Sequence, residues 1–287
     1  MDNRAQYSGR GRSPWQPAGL FPSNNDHDRG NLMKRIALPL AGACAAFCFV
    51  QGASAQQNEA APTPIIEVYG CTFTGNNDLG DFQAVATRWN AWADTRNVTD
   101  YTAFILTPFL FSAQLEYDVL WLGAWPTGAA MAAGEAQWLA EGGDVADDFE
   151  AITDCAIHQQ FAEVVIRAPQ APPPENGVAA FRDCKLHEGR IVPEAIAAAG
   201  QWAEYLVQNG SDLFTAFLFP LAGESDEADY NFKIVEGFAD IGAYGQTTDI
   251  VTRGGFMRAE ELFDRLMDCD SPRVYLLDRV RLAAAAQ

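Results

Sequence analysis

The chain has 287 residues, with 19 Lys+Arg against 38 Asp+Glu and a net charge of −19. So acidic a surface repels phosphate backbones and anionic lipid heads, which excludes nucleic-acid binding. No phosphate-cradling glycine loop, serine-nucleophile elbow or paired metal-binding histidine motif occurs, so the sequence names no reaction and leaves open whether the protein is an enzyme.

Residues 1–32 are polar, lack an apolar period and read as a disordered leader or an over-long start. Met33-Lys34-Arg35, an apolar run from Ile36 to Val50 and Ala53-Ser54-Ala55 then make a signal peptide over 33–55. The run is shorter than the ~20 apolar residues a spanning helix needs. Leu40-Ala41-Gly42-Ala43 before Cys44 loosely resembles a lipoprotein cleavage box, so lipid anchoring is the minor alternative. The expectation is an exported protein, periplasmic or secreted, without a transmembrane segment. Residues 56–287 hold 13 Lys+Arg and 35 Asp+Glu, a net charge of −22, with Lys185 and Lys233 their lysines.

After a linker over 56–64, the chain reads as one unit written twice, 65–168 and 177–282, joined by the Pro-rich segment 169–176 and closed by a tail over 283–287. Cys71 and Cys155 are 84 apart, and Cys184 and Cys269 are 85 apart. At a shift of 113, Trp89 falls on Trp202, and Tyr101-Thr102-Ala103-Phe104 on Phe214-Thr215-Ala216-Phe217. At 114, Phe149 to Cys155 falls on Phe263 to Cys269.

In the first unit Ile66 to Phe73 reads as a strand. Phe82, Val85, Ala86, Trp89 and Ala93 mark a helix over 81–95. Strands follow at Tyr101 to Ser112 and Tyr117 to Trp125. The segment 128–154 is helical in two pieces, broken at Gly142-Gly143, with Asp144 capping the second. His158 to Arg167 is the last strand. The second unit repeats the order: strand Val178–Leu186, a helix with Pro193 in its first turn, strands Phe214–Leu221 and Tyr230–Phe238, a helix carrying Ala259, Leu262, Phe263 and Leu266, and strand Val274–Leu282.

The class is therefore α+β: two tandem ferredoxin-like β-α-β-β-α-β units, packed sheet to sheet as an internal pseudo-dimer and expected to be monomeric. In this topology the first and last strands are antiparallel neighbours. That sets Cys71 beside Cys155 and Cys184 beside Cys269, and predicts two disulfides; four buried thiols are the alternative. No metal site is expected, because no close Cys-x-x-Cys or Cys/His set exists.

In element order and duplication, 65–282 resembles the dimeric α/β-barrel superfamily in its fused, tandem form. That resemblance implies ligands entering between sheet and helices, and a range of members from cofactor-free monooxygenases and isomerases to haem enzymes. The haem enzymes take an axial histidine from a helix or a segment flanking one. Neither His158 nor His187 lies on a predicted helix, so no cofactor is expected. Both stay weak candidates for acid/base work beside Glu188 or Asp183. Trp121, Trp125, Met131 and Trp138 would wall a pocket for a flat apolar molecule, with a core role as the alternative. The primary functional expectation is binding of a small apolar ligand or an envelope protein without catalysis. The alternative is a cofactor-free monooxygenase- or isomerase-like enzyme with its pocket in the first unit.

Overall fold

The computed structural model describes residues 63–169 and 171–284. The leader, the signal peptide, the Cys44 box and the end of the tail lie outside them. The elements run β1 (Ile65–Phe73), α1 (Leu79–Thr95), β2 (Thr102–Leu110), β3 (Val119–Trp125), α2 (Gly128–Glu141), α3 (Gly143–Ile152) and β4 (Thr153–Arg167). The second set is β5 (Asn176–Leu186), α4 (Val192–Gln208), β6 (Phe214–Ala222), β7 (Phe232–Phe238), α5 (Ile241–Ile250), α6 (Phe256–Phe263), β8 (Met267–Cys269) and β9 (Arg273–Arg281). None of these helices is long and apolar enough to cross a membrane.

Local chemistry explains most boundaries. Asp78 caps α1 by accepting from Gly80 and Asp81, and the Asp81 carboxylate accepts from the Asp78 N–H at 3.0 Å. That reciprocal box satisfies donors that would otherwise go unpaired. Phe82, Val85, Ala86, Trp89 and Ala93 form the buried stripe. Asp144 is not a cap: α3 starts at Gly143, its N-cap Gly142 has no side chain to offer, and Asp144 lies inside the first turn. There a carboxylate still meets the positive end of the helix dipole. α5 and α6 are separated at Arg253-Gly254, where Gly254 has φ 122°, open to glycine at little cost. The last strand of the first unit begins at Thr153 rather than His158. Its counterpart in the second unit is split into β8 and β9 around Pro272, which has no N–H to continue a ladder.

All strand pairs are antiparallel, in the order β4-β1-β3-β2 for the first set and β9-β5-β7-β6 for the second. β2 pairs with β9 and β4 with β6, so eight strands close into one barrel, with β8 added beside β5. The expected face-to-face packing of two open sheets is thus corrected in one respect. The sheets are also joined edge to edge, because face packing alone would leave four rows of unpaired N–H and C=O groups.

Ile66, Leu106, Leu120, Phe161, Phe181 and Tyr275 pack together inside the barrel. The helices cover its outside over separate cores built on Phe82, Trp121 and Phe149 in the first set and on Phe217, Phe232 and Leu206 in the second. Cys71 lies opposite Cys155 and Cys184 opposite Cys269 in the ladders, and both pairs are disulfide-bonded.

One detail of the repeat does not survive in space. Ala103 sits opposite Gly123, but Thr215, not Ala216, sits opposite Glu236. The matched quartets are one residue out of step. Because side chains alternate, the slip sends aligned residues to opposite faces of the sheet.

Candidate active site

β1 alternates, with Ile66 and Val68 in the barrel and Tyr69 and Cys71 under the helices. Glu67 falls on the helix side and is 2% exposed. Its ladder partner on β3 is Gly123, where an added Cβ would lie 1.8 Å from the Tyr101 hydroxyl oxygen. The missing side chain on β3 is what lets Tyr101 reach Glu67. The Tyr101 hydroxyl donates to Glu67 Oε1 at 2.5 Å and accepts from Trp121 Nε1 at 2.9 Å. Oε2 is buried without a hydrogen bond of normal geometry, and Glu135 on α2 and Trp125 line the same space.

Burial first, and the charge of Glu135 second, raise the Glu67 carboxyl to about 8, against the opposing pull of Tyr101 and Trp125. Burial also raises Glu135, with Glu67 pulling the other way through a hydrogen bond. Tyr101 is pushed well above its ordinary value by burial and then by Glu67. Two carboxyl groups this close disfavour each other's ionisation and titrate as a pair. A carboxyl poised in this range can both take and give a proton at working pH.

The space around them is narrow in this conformation, a cavity of about 30 Å³ walled by Trp89, Trp92, Trp121, Trp125 and Trp138. That holds roughly one water. Its roof is α2, rich in Ala and Gly, which buries Trp138 as its one fully enclosed side chain. α2 comes this close because of Gly134, where a Cβ would meet the Trp125 ring at 2.0 Å.

Three of the four sequence-predicted pocket residues, Trp121, Trp125 and Trp138, line this cavity. Met131 packs against the same core but does not line it. Neither histidine lines it. His158 stacks on Tyr69 with ring centroids 3.9 Å apart, and burial lowers its basicity. His187, in the loop after β5, bonds Asp268 at 3.1 Å. Sequence reasoning missed Glu67, Glu135 and Tyr101. The available signal was Glu67 itself, a lone charge inside Ile65-Ile66-Glu67-Val68-Tyr69.

No protein-family model and no curated protein matches this chain. Among solved structures it is similar to a putative monooxygenase from Fusobacterium nucleatum, with TM-score 0.50 and 9% identity over 79% of this chain and 96% of that one. The chain is also similar to a putative chlorite dismutase (0.46, 12%, 77% and 96%) and to a haem-binding protein from Thermus thermophilus (0.46, 10%, 76% and 94%). These likenesses are of fold, a closed antiparallel barrel with helices on its outside. At these identities the likeness fixes the architecture and not the activity.

Two tests of function can be made on the residues. The Glu67 cavity does not fit a haem: it has room for about one water, and neither His158, stacked on Tyr69, nor His187, bonded to Asp268, lines it. The expectation of binding without catalysis is corrected. Under the tryptophans this barrel brings two carboxyl groups and a phenol together, converging polar groups that a site for an apolar ligand alone does not need.

Proposed function

We propose that the protein is an exported, cofactor-free enzyme of the isomerase or monooxygenase type, acting on a small, flat, apolar carbon acid between β1–β3 and α2. The two halves are read as fused ferredoxin-like units in a monomer, with the chemistry in the first. The observation that carries this is Glu67, buried in a tryptophan-walled space that a second carboxyl, Glu135, also lines. Paired disulfides support an oxidising compartment.

The chemistry common to both enzyme types is removal of a proton from carbon. Glu67, once ionised, takes the proton. Tyr101, anchored by Trp121, fixes the orientation of Glu67 through Oε1. Returning the proton to another carbon completes an isomerisation. α2 has to lift to admit substrate; its closure then excludes water.

The test is exchange of the α-protons of 2-tetralone, followed by proton NMR in deuterated buffer with the full chain. Exchange should be saturable and should rise with pH toward about 8, as Glu67 loses its proton. Glu67→Gln should lower it by roughly 100-fold or more. Glu135→Gln removes the charge that helps raise Glu67, so the rising limb should move to lower pH. Exchange no faster than in buffer, or unchanged in Glu67→Gln, would refute the reading.

A further inference from the structure

The second half keeps a carboxyl at the same point of the sheet but delivers it from the neighbouring strand. In the first half Glu67 on β1 faces Gly123 on β3; in the second, Ala180 on β5 faces Glu236 on β7. Glu236 is 7% exposed. Its Oε2 accepts from the Arg182 guanidinium at 3.2 Å. Above this ion pair, under α4 and α6, lies a cavity of about 390 Å³. That is within the usual range for small-molecule sites. Trp202, Phe256, Phe263 and Met267 give it apolar walls.

Two polar atoms on residues that line it are shut off from solvent and have no partner among the described residues. One is the hydroxyl of Thr215, a residue 2% exposed, and the other is Arg182 Nε. Leaving such groups unpaired costs about 1–3 kcal/mol each, which a ligand oxygen can recover. The lip is the break between α5 and α6, with Gly254 at φ 122° and Phe256 50% exposed beside it. The rim carries Glu260 and Asp264, so the local field rejects anions.

We propose that this cavity is a second ligand site, taking an uncharged and mainly apolar molecule that carries a carbonyl or hydroxyl oxygen. The oxygen accepts from Arg182 Nε and meets the Thr215 hydroxyl, and the apolar body lies against Trp202 and Phe263. The site is built from other residues than the Glu67 pair and stands whether or not that pair is catalytic.

The test uses 4-fluoroacetophenone as the probe, titrated against the full chain and followed by fluorine NMR. Binding should be saturable, be lost in Ala259→Phe, whose ring would occupy the cavity, and weaken roughly tenfold in Thr215→Val. Thr215→Val should melt no lower than the parent, since it deletes an unpaired buried hydroxyl. It also serves as the deciding variant if Ala259→Phe does not fold. Glu67→Gln should bind the probe as the parent does. No saturable binding, equal binding of 4-fluorobenzoate, indifference to Thr215→Val, or loss of binding in Glu67→Gln would each overturn the proposal.

Discussion

Glu67 is held in its neutral form by burial, and that has a thermodynamic consequence independent of catalysis. Its folded-state carboxyl is raised to about 8, while the unfolded chain presents an ordinary carboxyl. The contribution is therefore fully present below the unfolded value near 4.5 and is lost as pH rises through about 8. Glu67→Gln, which keeps the acceptor for Tyr101 and cannot ionise, should flatten the fall in stability between those limits. At pH 9 it should be more stable than the parent by about 2–4 kcal/mol. Denaturant unfolding across pH measures this; a variant whose stability falls with pH as steeply as the parent's would show that Glu67 does not carry the charge penalty. The cysteines were readable because their spacing repeats and sheet topology makes them neighbours. Glu67 was harder to read, since one charge in an apolar strand marks a buried group only once the face it points to is known.

The helices over the first sheet divide their glycines by what stands beneath them. At Gly134 a Cβ would strike the Trp125 ring at 2.0 Å, whereas Gly128 has open space around it. Gly134→Leu should push α2 off the sheet and destabilise the protein by about 1–3 kcal/mol, the range for overpacking. Acrylamide quenching of tryptophan fluorescence should rise with it. Gly128→Ala, at the start of the same helix, should be neutral or stabilise by about 0.5–1 kcal/mol. Equal effects at the two positions would mean that close approach to Trp125 does not set the height of α2. The apolar stripe of α1 is plain in the sequence. By contrast α5, Ile241-Gly242-Ala243-Tyr244-Gly245 onward, buries Thr247 as its one fully enclosed residue, so periodicity had little to report there. The slip of β6 was also illegible, because matched letters at a fixed shift do not reveal which face of a sheet they occupy.

Closure of the barrel joins the two halves more tightly than a duplicated sequence suggests. Alternation tells which face of a strand is buried, but not which edge meets which, so the β2–β9 and β4–β6 seams could not be read from the chain. Ile66, Leu106, Leu120 and Phe161 share one core with Phe181, Leu218, Val235 and Tyr275, and the Tyr117 and Tyr275 hydroxyls hydrogen-bond at 2.6 Å between the halves. Neither half alone contains that core or both partners of a seam. Opening one half exposes apolar surface and unpaired edges of the other, so unfolding should be a single cooperative transition with equal calorimetric and van't Hoff enthalpies. The disulfide of the first half sharpens the test. Removing it as Cys71→Ala with Cys155→Ala releases a loop spanning a separation of 84 residues and should lower stability by about 4 kcal/mol. If the barrel is one unit, that loss lowers the midpoint of the whole transition. If the halves are independent, it splits off an early transition of the first half and leaves the second melting where it did. Differential scanning calorimetry separates the two outcomes, because coupling through eight shared strands leaves no free edge at which one half could stop while the other unfolds.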